Sequence, residues 1–371
     1  MAFLLNLMKK FEPLFKDGAL KRFYSIYEAT ETFVFEPNLP TRVGPHVRDA
    51  MNTKRFMILV VLGLLPATAW AVYAFGLRPL AVILVSYAAG GVVEVGFTMA
   101  RKEEISEGFL VTGLLFGLVM PATVPLWVVA AGSAFGVLFG KEIFGGTGRN
   151  LFNPALLGFA FVYLSWPVHL APPAYVVPSM DWPGNVMKYL VMDHGKIVDA
   201  VTGATPLSIA QAHGYHAALA QYSLDKMFFG FIPGATGEVS ALLLLLGGLF
   251  ILFTKVANWR IPLAIFLGVT LVSGVLWGLN PVKYYSPWFH WFAGGLMLGA
   301  FFMATDPVSA PDTNGGKWLY GLLCGANIVV IRQFAPLPEG VMFSILLMNL
   351  FAPLLDEIFL RRRAGKEKAY V

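Results

Sequence analysis

Charge is what this 371-residue chain has least of: 13% of its residues are Asp, Glu, Lys or Arg, against 57% hydrophobic. Soluble domains carry roughly a quarter charged residues. Uncharged runs of about 18 residues recur, enough to cross the hydrocarbon core of a bilayer, which excludes a soluble protein with an oversized core. Cysteine is nearly absent as well. Cys324 stands alone in an apolar run, so the chain by itself forms no internal disulfide, Cys-rich zinc site or iron–sulfur cluster. The six His residues are scattered. His213 and His216 have helical spacing but no third ligand, so they read as loop histidines and no metal site is expected. No strand–Gly-x-Gly-x-x-Gly–helix unit occurs, so no dinucleotide site is expected. The start, with charged residues soon after Met1, predicts no cleavable signal peptide. The net charge of +5 comes from basic residues at the ends of apolar runs, which is topology information and not a nucleic-acid footprint.

What is present is apolar and periodic. Residues 1–54 place Phe3, Leu4, Leu7, Met8, Phe11, Leu14 and Phe15 at roughly helical spacing, with Lys9, Lys10 and Lys16 between them. That pattern fits helices lying on a membrane surface or docked on a neighbouring protein of a complex. Ten hydrophobic segments follow, near 55–75, 78–100, 108–122, 124–140, 153–172, 238–254, 260–279, 288–305, 317–332 and 340–360. The third ends at Met120-Pro121 and reads as broken or re-entrant. Lys54, Arg55, Arg101, Lys102, Lys141, Arg149, Lys255, Arg260 and Arg361 to Arg363 all fall on one side of a ten-span topology with both termini cytoplasmic, as the positive-inside bias requires. Arg332, at an outer end, is the exception. The expected architecture is an all-α polytopic membrane protein: a cytoplasmic segment 1–54, a first membrane half 55–172, an external loop 173–237, a second membrane half 238–360 and a basic tail 361–371.

The halves share a weak pattern. Ala131-Gly132, Gly136 and Phe139 match Gly294-Gly295, Gly299 and Phe302 at one offset, and each run leads into a polar hinge, 145–150 or 305–309. Related halves would place a ligand site at their interface, built from interrupted helices; glycine-mediated helix packing gives the same pattern without a site. In the external loop, Thr205-Pro206 is a helix start. Thr can accept a backbone N–H as N-cap, and Pro fits the first helical position. A hydroxyl there also lies where a phosphate would be favoured, and Gly203 and Ala204 leave room for a bulky group beside it. A capped loop helix is the plain alternative. Carboxylates at membrane depth are costly, about 2.5–3.5 kcal/mol on insertion scales, so Glu94 and Asp356 are site candidates. Asp356 can equally cap its helix beside Arg361, Glu142 reads as a local ion pair with Lys141, and Glu238 as the start of the sixth segment.

Phe11-Glu12-Pro13, His46-Val47-Arg48-Asp49, Glu107 to Thr112, Lys141 to Leu156, Thr202-Gly203-Ala204-Thr205, Phe301 to Ala310 and Phe351 to Asp356 occur in order along nearly the whole chain. Together they resemble the family formed by the B subunits of sodium-translocating NADH:quinone oxidoreductases (Nqr) and the D subunits of Rnf ferredoxin:NAD+ oxidoreductases. The long N-terminal segment and the run Gly145 to Asn150 favour the first. The resemblance implies a multi-pass subunit of a bacterial inner-membrane redox complex that reduces quinone and exports Na+. It would work with flavin-carrying and NADH-oxidising partner subunits. It implies FMN joined to Thr205 by a phosphoester, within a motif of Thr202, Gly203 and Ala204, and attached by a separate flavin transferase. It implies non-covalent riboflavin near Thr112, Asn150, Asn153 and Asp306, quinone near Gly90 and Gly91, and a sodium pathway through Glu94 and Asp356. Asn150, Asn153 and Asp306 could instead cap broken helices. The rivals are an Rnf-type subunit and a small-solute channel or transporter.

Overall fold

In the computed structural model, residue 13 and residues 53–102, 108–171, 174–178 and 203–368 are described, with side chains to residue 361. The surface helices expected upstream of residue 53, Thr202, and residues 179–202 of the external loop lie outside the described residues. All ten apolar segments are helical. In the first half they are α1 (Thr53–Phe75), α2 (Arg78–Arg101), α3 (Gly108–Val119), α4 (Leu126–Val137) and α5 (Pro154–Ser165). Three short helices follow: α6 (Pro206–His213), α7 (Tyr215–Gln221) and α8 (Leu224–Phe229). The second half comprises α9 (Ala241–Phe253), α10 (Arg260–Leu279), α11 (Pro287–Phe292), α12 (Leu296–Leu298), α13 (Asn314–Phe334) and α14 (Val341–Lys368). The starts follow local chemistry: Asn153 caps α5, Ser240 caps α9, Ser286 caps α11 and Thr313 caps α13, as short polar side chains do at free amides.

Helix length separates two kinds of segment. α1, α2, α10 and residues 341–361 of α14 are long and apolar enough to cross a bilayer, and only 28–39% of their most apolar windows is buried inside the protein. The rest of each window is exposed and apolar, as a surface within a bilayer requires. α3, α5 and α9 have 12, 12 and 13 residues, hence about 18–20 Å, well short of the roughly 30 Å hydrocarbon core. Such half-length helices need their loose ends satisfied inside the protein. For α3 this is done by the loop before α9: the amides of Thr236 and Gly237 donate to the carbonyls of Met120 and Leu118, and Arg78 donates to the carbonyls of Ala122 and Val124. The eighth segment, expected as one span, is broken. α11 and α12 are separated at Gly294, whose φ of +66° suits glycine.

Both halves carry the same irregularity before their polar hinge. α4 runs into a π-turn, Leu138–Glu142, and α12 into another, Gly299–Met303. Single π-turns inside helices concentrate at functional sites. The halves are clamped where α1 crosses α9: a Cβ on Gly247 would collide with the Gly63 carbonyl, so only glycine permits that approach. α6, α7 and α8 close one end of the bundle over their own apolar cluster, which includes Leu207, Tyr215, Met227 and Phe289.

Candidate functional site

The two polar hinges meet. After the π-turn the chain passes Gly145, Gly146 and Gly148, at φ of +113°, +92° and +87°, and delivers Asn150 and Asn153 to the second hinge. The Asn150 amide donates to the Phe152 carbonyl (3.1 Å) and to Asp306 Oδ2 (3.3 Å). Asn153 does two things at once: its Oδ1 accepts the Ala155 amide (3.0 Å), capping α5, and its Nδ2 donates to the Met303 carbonyl (3.3 Å). Asp306 accepts from the Ser309 hydroxyl (2.9 Å) and the Val308 amide (3.3 Å). Thr112 donates to the Gly108 carbonyl (3.2 Å). Thr112, Asn150, Asn153 and Asp306 also line one cavity, with Phe56, Val111, Lys141 and Phe302, of about 690 Å³ counted out to its mouth. Helix capping and cavity lining therefore fall on the same side chains. The cavity wall is apolar with hydroxyl, amide and carboxyl groups at one edge, which suits the donors and acceptors of an isoalloxazine ring.

Beside this cavity lies a chain of buried charges. Lys141 Nζ is 2.6 Å from Glu94 Oε1, both side chains almost wholly buried, and Glu94 Oε2 has no hydrogen-bond partner among the described residues. Glu142 pairs with Arg101 (2.8 Å), which also donates to the Glu142 backbone carbonyl. This corrects the expected local Lys141–Glu142 pair. At adjacent positions in a helix side chains diverge by about 100°, so each finds its partner on α2 instead. Asp356 has both oxygens engaged: Oδ1 takes the Thr313 amide (2.8 Å) and hydroxyl (2.5 Å), and Oδ2 takes the Asp312 amide (2.7 Å). It fastens the start of α13, and Arg361 pairs with Glu357 rather than with it. The two glycines differ. A Cβ on Gly90 would come within 2.8 Å of Ser133 Oγ in the α2–α4 contact, whereas Gly91 faces open space, next to Val92, which is 74% exposed.

Thr205 lies in a second cavity, of about 1100 Å³ counted to its mouth. It is the N-cap of α6 as expected, accepting the Ser208 amide at 3.2 Å, with Pro206 following. Ser208, unremarked in the sequence, touches the Thr205 hydroxyl and donates to the Thr205 carbonyl (3.1 Å). Phe159, Tyr163 and Tyr175 line this space together with Thr205. Burial pushes the Tyr175 hydroxyl well above its usual range, so it stays a neutral donor, bonded to the Leu170 carbonyl (2.9 Å). The expected room beside Gly203 is taken: a Cβ there would meet Val177 at 3.0 Å and Pro233 at 3.4 Å, and the Gly203 amide bonds the Tyr175 carbonyl. Neither Gly203 nor Ala204 lines the cavity; both position Thr205. A half-buried hydroxyl at a helix start, above an aromatic-walled cavity, fits a phosphate-linked flavin.

Arg332, the exception in the charge topology, has a local cause. It is buried and donates to the carbonyls of His290 (2.8 Å) and Ala293 (2.9 Å) and to Glu339 (3.0 Å). These acceptors come from the broken helix α11 and from the α13–α14 loop, so periodicity could not reveal them. Glu238 and Glu339 also line the Thr205 cavity.

The model of the family described as NQR2, RnfD, RnfE matches residues 41–365. The chain is 38% identical to the B subunit of the Na(+)-translocating NADH-quinone reductase of Chromohalobacter salexigens, over 98% of this chain and 97% of that protein. It is 37% identical to the B subunits of the same reductase from Klebsiella pneumoniae and Pseudomonas aeruginosa, over 99% of each chain. The chain is thus a multi-pass membrane protein belonging to the NQR2, RnfD, RnfE family.

Proposed function

We propose that this chain is the B-type membrane subunit of a sodium-translocating NADH:quinone oxidoreductase and acts only within that multi-subunit complex. Its near full-length similarity to relatives of that name supports the reading. In this reading Thr205 carries FMN through a phosphoester made by a flavin transferase. The hinge cavity holds riboflavin, quinone approaches at Gly90 and Gly91, and Glu94 and Asp356 belong to the sodium pathway. NADH binds on a partner subunit, and both termini face the cytoplasm of the inner membrane. Bound flavins supply the electron chemistry. The chain's residues bind and orient them.

The observation that carries the covalent site is the Thr205 hydroxyl, set at the start of α6 and in the wall of an aromatic-lined cavity. The first-turn amides of α6 and its dipole would stabilise a phosphate on that oxygen, while Phe159, Tyr163 and Tyr175 provide apolar cover for a ring. At the hinge, Asn150, Asp306 and Thr112 present polar groups to the cavity, and Lys141 supplies a buried cation at its border. Gly91 leaves an apolar, lipid-facing surface without side-chain obstruction, where a quinone ring could lie flat against the backbone. The test is a denaturing gel of the purified chain viewed under ultraviolet light. Protein from cells containing the transferase should give a fluorescent band that Thr205→Ala abolishes. A dark wild-type band overturns the covalent assignment and favours a flavin-free channel.

A further inference from the structure

We propose that Glu238 is the proton donor of the Thr205 cavity: its carboxylic acid passes a proton to the flavin carried on Thr205 when that ring is reduced, and takes one back through the cavity mouth. The inference rests on the covalent-flavin reading above. Glu238 is nearly buried, lines the cavity together with Thr205, and its side chain has no hydrogen-bond or ion-pair partner among the described residues. The two charged groups beside it are committed to each other. Arg332 donates to the carbonyls of His290 and Ala293 and to Glu339, and Glu339 also accepts the Val341 amide (3.1 Å) and the Gly295 amide (3.0 Å). The break between α11 and α12 keeps the space in front of the acid clear, since a Cβ on Gly295 would strike Glu238 Oε1.

The protonation state decides the role. Removal from water disfavours the charged form of Glu238, and the Glu339 carboxylate disfavours it further. Arg332, already shared with Glu339, opposes this only in part, so the Glu238 carboxyl is held well above the usual carboxylate range. The other titratable groups lining the cavity are Tyr163 and Tyr175. Burial keeps Tyr175 neutral, and its hydroxyl is spent on the Leu170 carbonyl (2.9 Å). An unengaged neutral acid in a cavity wall can act as a general acid. Two-electron reduction of an isoalloxazine ring, with electrons that come here from NADH through the partner subunits, adds at least one proton. The O–H bond of Glu238 breaks, an N–H bond forms on the ring, and a carboxylate remains beside Glu339. That pair of like charges favours prompt reprotonation. The lining gives the route, because it runs from Glu238 to the exposed Gln211 and Pro336. When the next acceptor reoxidises the ring, the proton leaves to water by the same way.

The experiment is rapid-mixing reduction of the intact purified complex by NADH, across pH and in H2O and D2O, on wild type, Glu238→Gln and Glu238→Asp. The phase followed is the flavin absorbance change that Thr205→Ala removes. Gln copies the shape of a neutral acid but carries no transferable proton. The expected result is a fall of about a hundredfold in the rate of that phase in Glu238→Gln. In wild type the rate should decline as rising pH removes the acid form, and should be slower in D2O; both responses should be lost in Glu238→Gln and partly recovered in Glu238→Asp. Infrared difference spectra between oxidised and reduced complex give a readout independent of rate: the carbonyl stretch of a protonated carboxyl should respond to reduction and vanish in Glu238→Gln. A wild-type rate in Glu238→Gln overturns the proposal. So does a Glu238 signal in the carboxylate region of the oxidised complex, since the group is then ionised before the electrons arrive. If Glu238→Gln does not assemble, displacement of the infrared band in Glu238→Asp decides, and an unmoved band overturns the assignment. The ultraviolet gel on the same preparations separates the two readings. A fluorescent band with a wild-type rate in Glu238→Gln rejects this donor alone, and a dark wild-type band rejects the covalent flavin and the donor with it.

Discussion

The hinge cavity and the Thr205 cavity use polar residues in opposite ways. At the hinge, three of the four predicted polar residues also hold the fold together: Asn153 caps α5 and ties it to Met303, and Asp306 and Asn150 join the two breaks. In the Thr205 cavity the hydroxyl caps only a short surface helix, and Glu238 bonds nothing described. The difference follows from where the backbone is interrupted. Broken helices inside a membrane have no water to satisfy their ends, so side chains at the break are drawn into capping first and face a ligand second. Outside the spans, α6 can start on a single threonine, and one carboxyl of its cavity, Glu238, is left without a partner among the described residues. Changes at the hinge should therefore damage stability and binding together, while changes at Thr205 should separate them.

The largest effect expected is Thr205→Ala: complete loss of covalent fluorescence, with a stability cost of only about 1 kcal/mol for the lost cap. Thermal unfolding in detergent next to the gel checks both. A variant that loses fluorescence by failing to fold would break the contrast. Next is the buried pair beside the hinge. Lys141→Met alone should destabilise by about 3–5 kcal/mol because Glu94 is left buried and uncompensated, and Lys141→Met with Glu94→Gln should recover much of that; a double-mutant cycle on unfolding temperature reads it. Asn153→Ala comes third. It should cost about 1–2 kcal/mol of stability and also reduce the non-covalent flavin released on acid extraction. Retention of full flavin with lowered stability would make Asn153 a cap and nothing else. The smallest is Thr112→Val, whose hydroxyl bonds only the preceding turn of α3; unchanged unfolding with a few-fold weaker flavin retention would mark Thr112 as the exception to the hinge rule, and no change in either would remove Thr112 from the site.

Much of the fold was legible because a bilayer leaves few options. Each apolar run had to be a helix, and each of the ten is. The starts at Asn153 and Thr205 could be read from a short polar residue placed just before the helical run, whereas the sixth segment, expected to start at Glu238, begins only after its cap Ser240. What remained hidden were contacts between distant stretches. Lys141 and Glu142 sit side by side in sequence yet pair with Glu94 and Arg101 on another helix. Arg332 broke the charge rule because its acceptors, His290, Ala293 and Glu339, come from segments up to 42 residues away. Gly203 suggested empty space that Val177 and Pro233 fill.

By itself the sequence determined the membrane class, the helical segments, the breaks near Pro121, Gly145 and Asp306, the capping role of Thr205, and the family, because hydrophobic length, capping chemistry and motif order are local properties of the chain. Tertiary structure alone decided which charges pair, that Asn150 and Asp306 meet across the halves, that Asp356 anchors α13, and that Glu238 faces the Thr205 cavity without a partner among the described residues. Those facts depend on which helices pack together, and burial in that packing obliges each charge to find whichever neighbour the fold supplies.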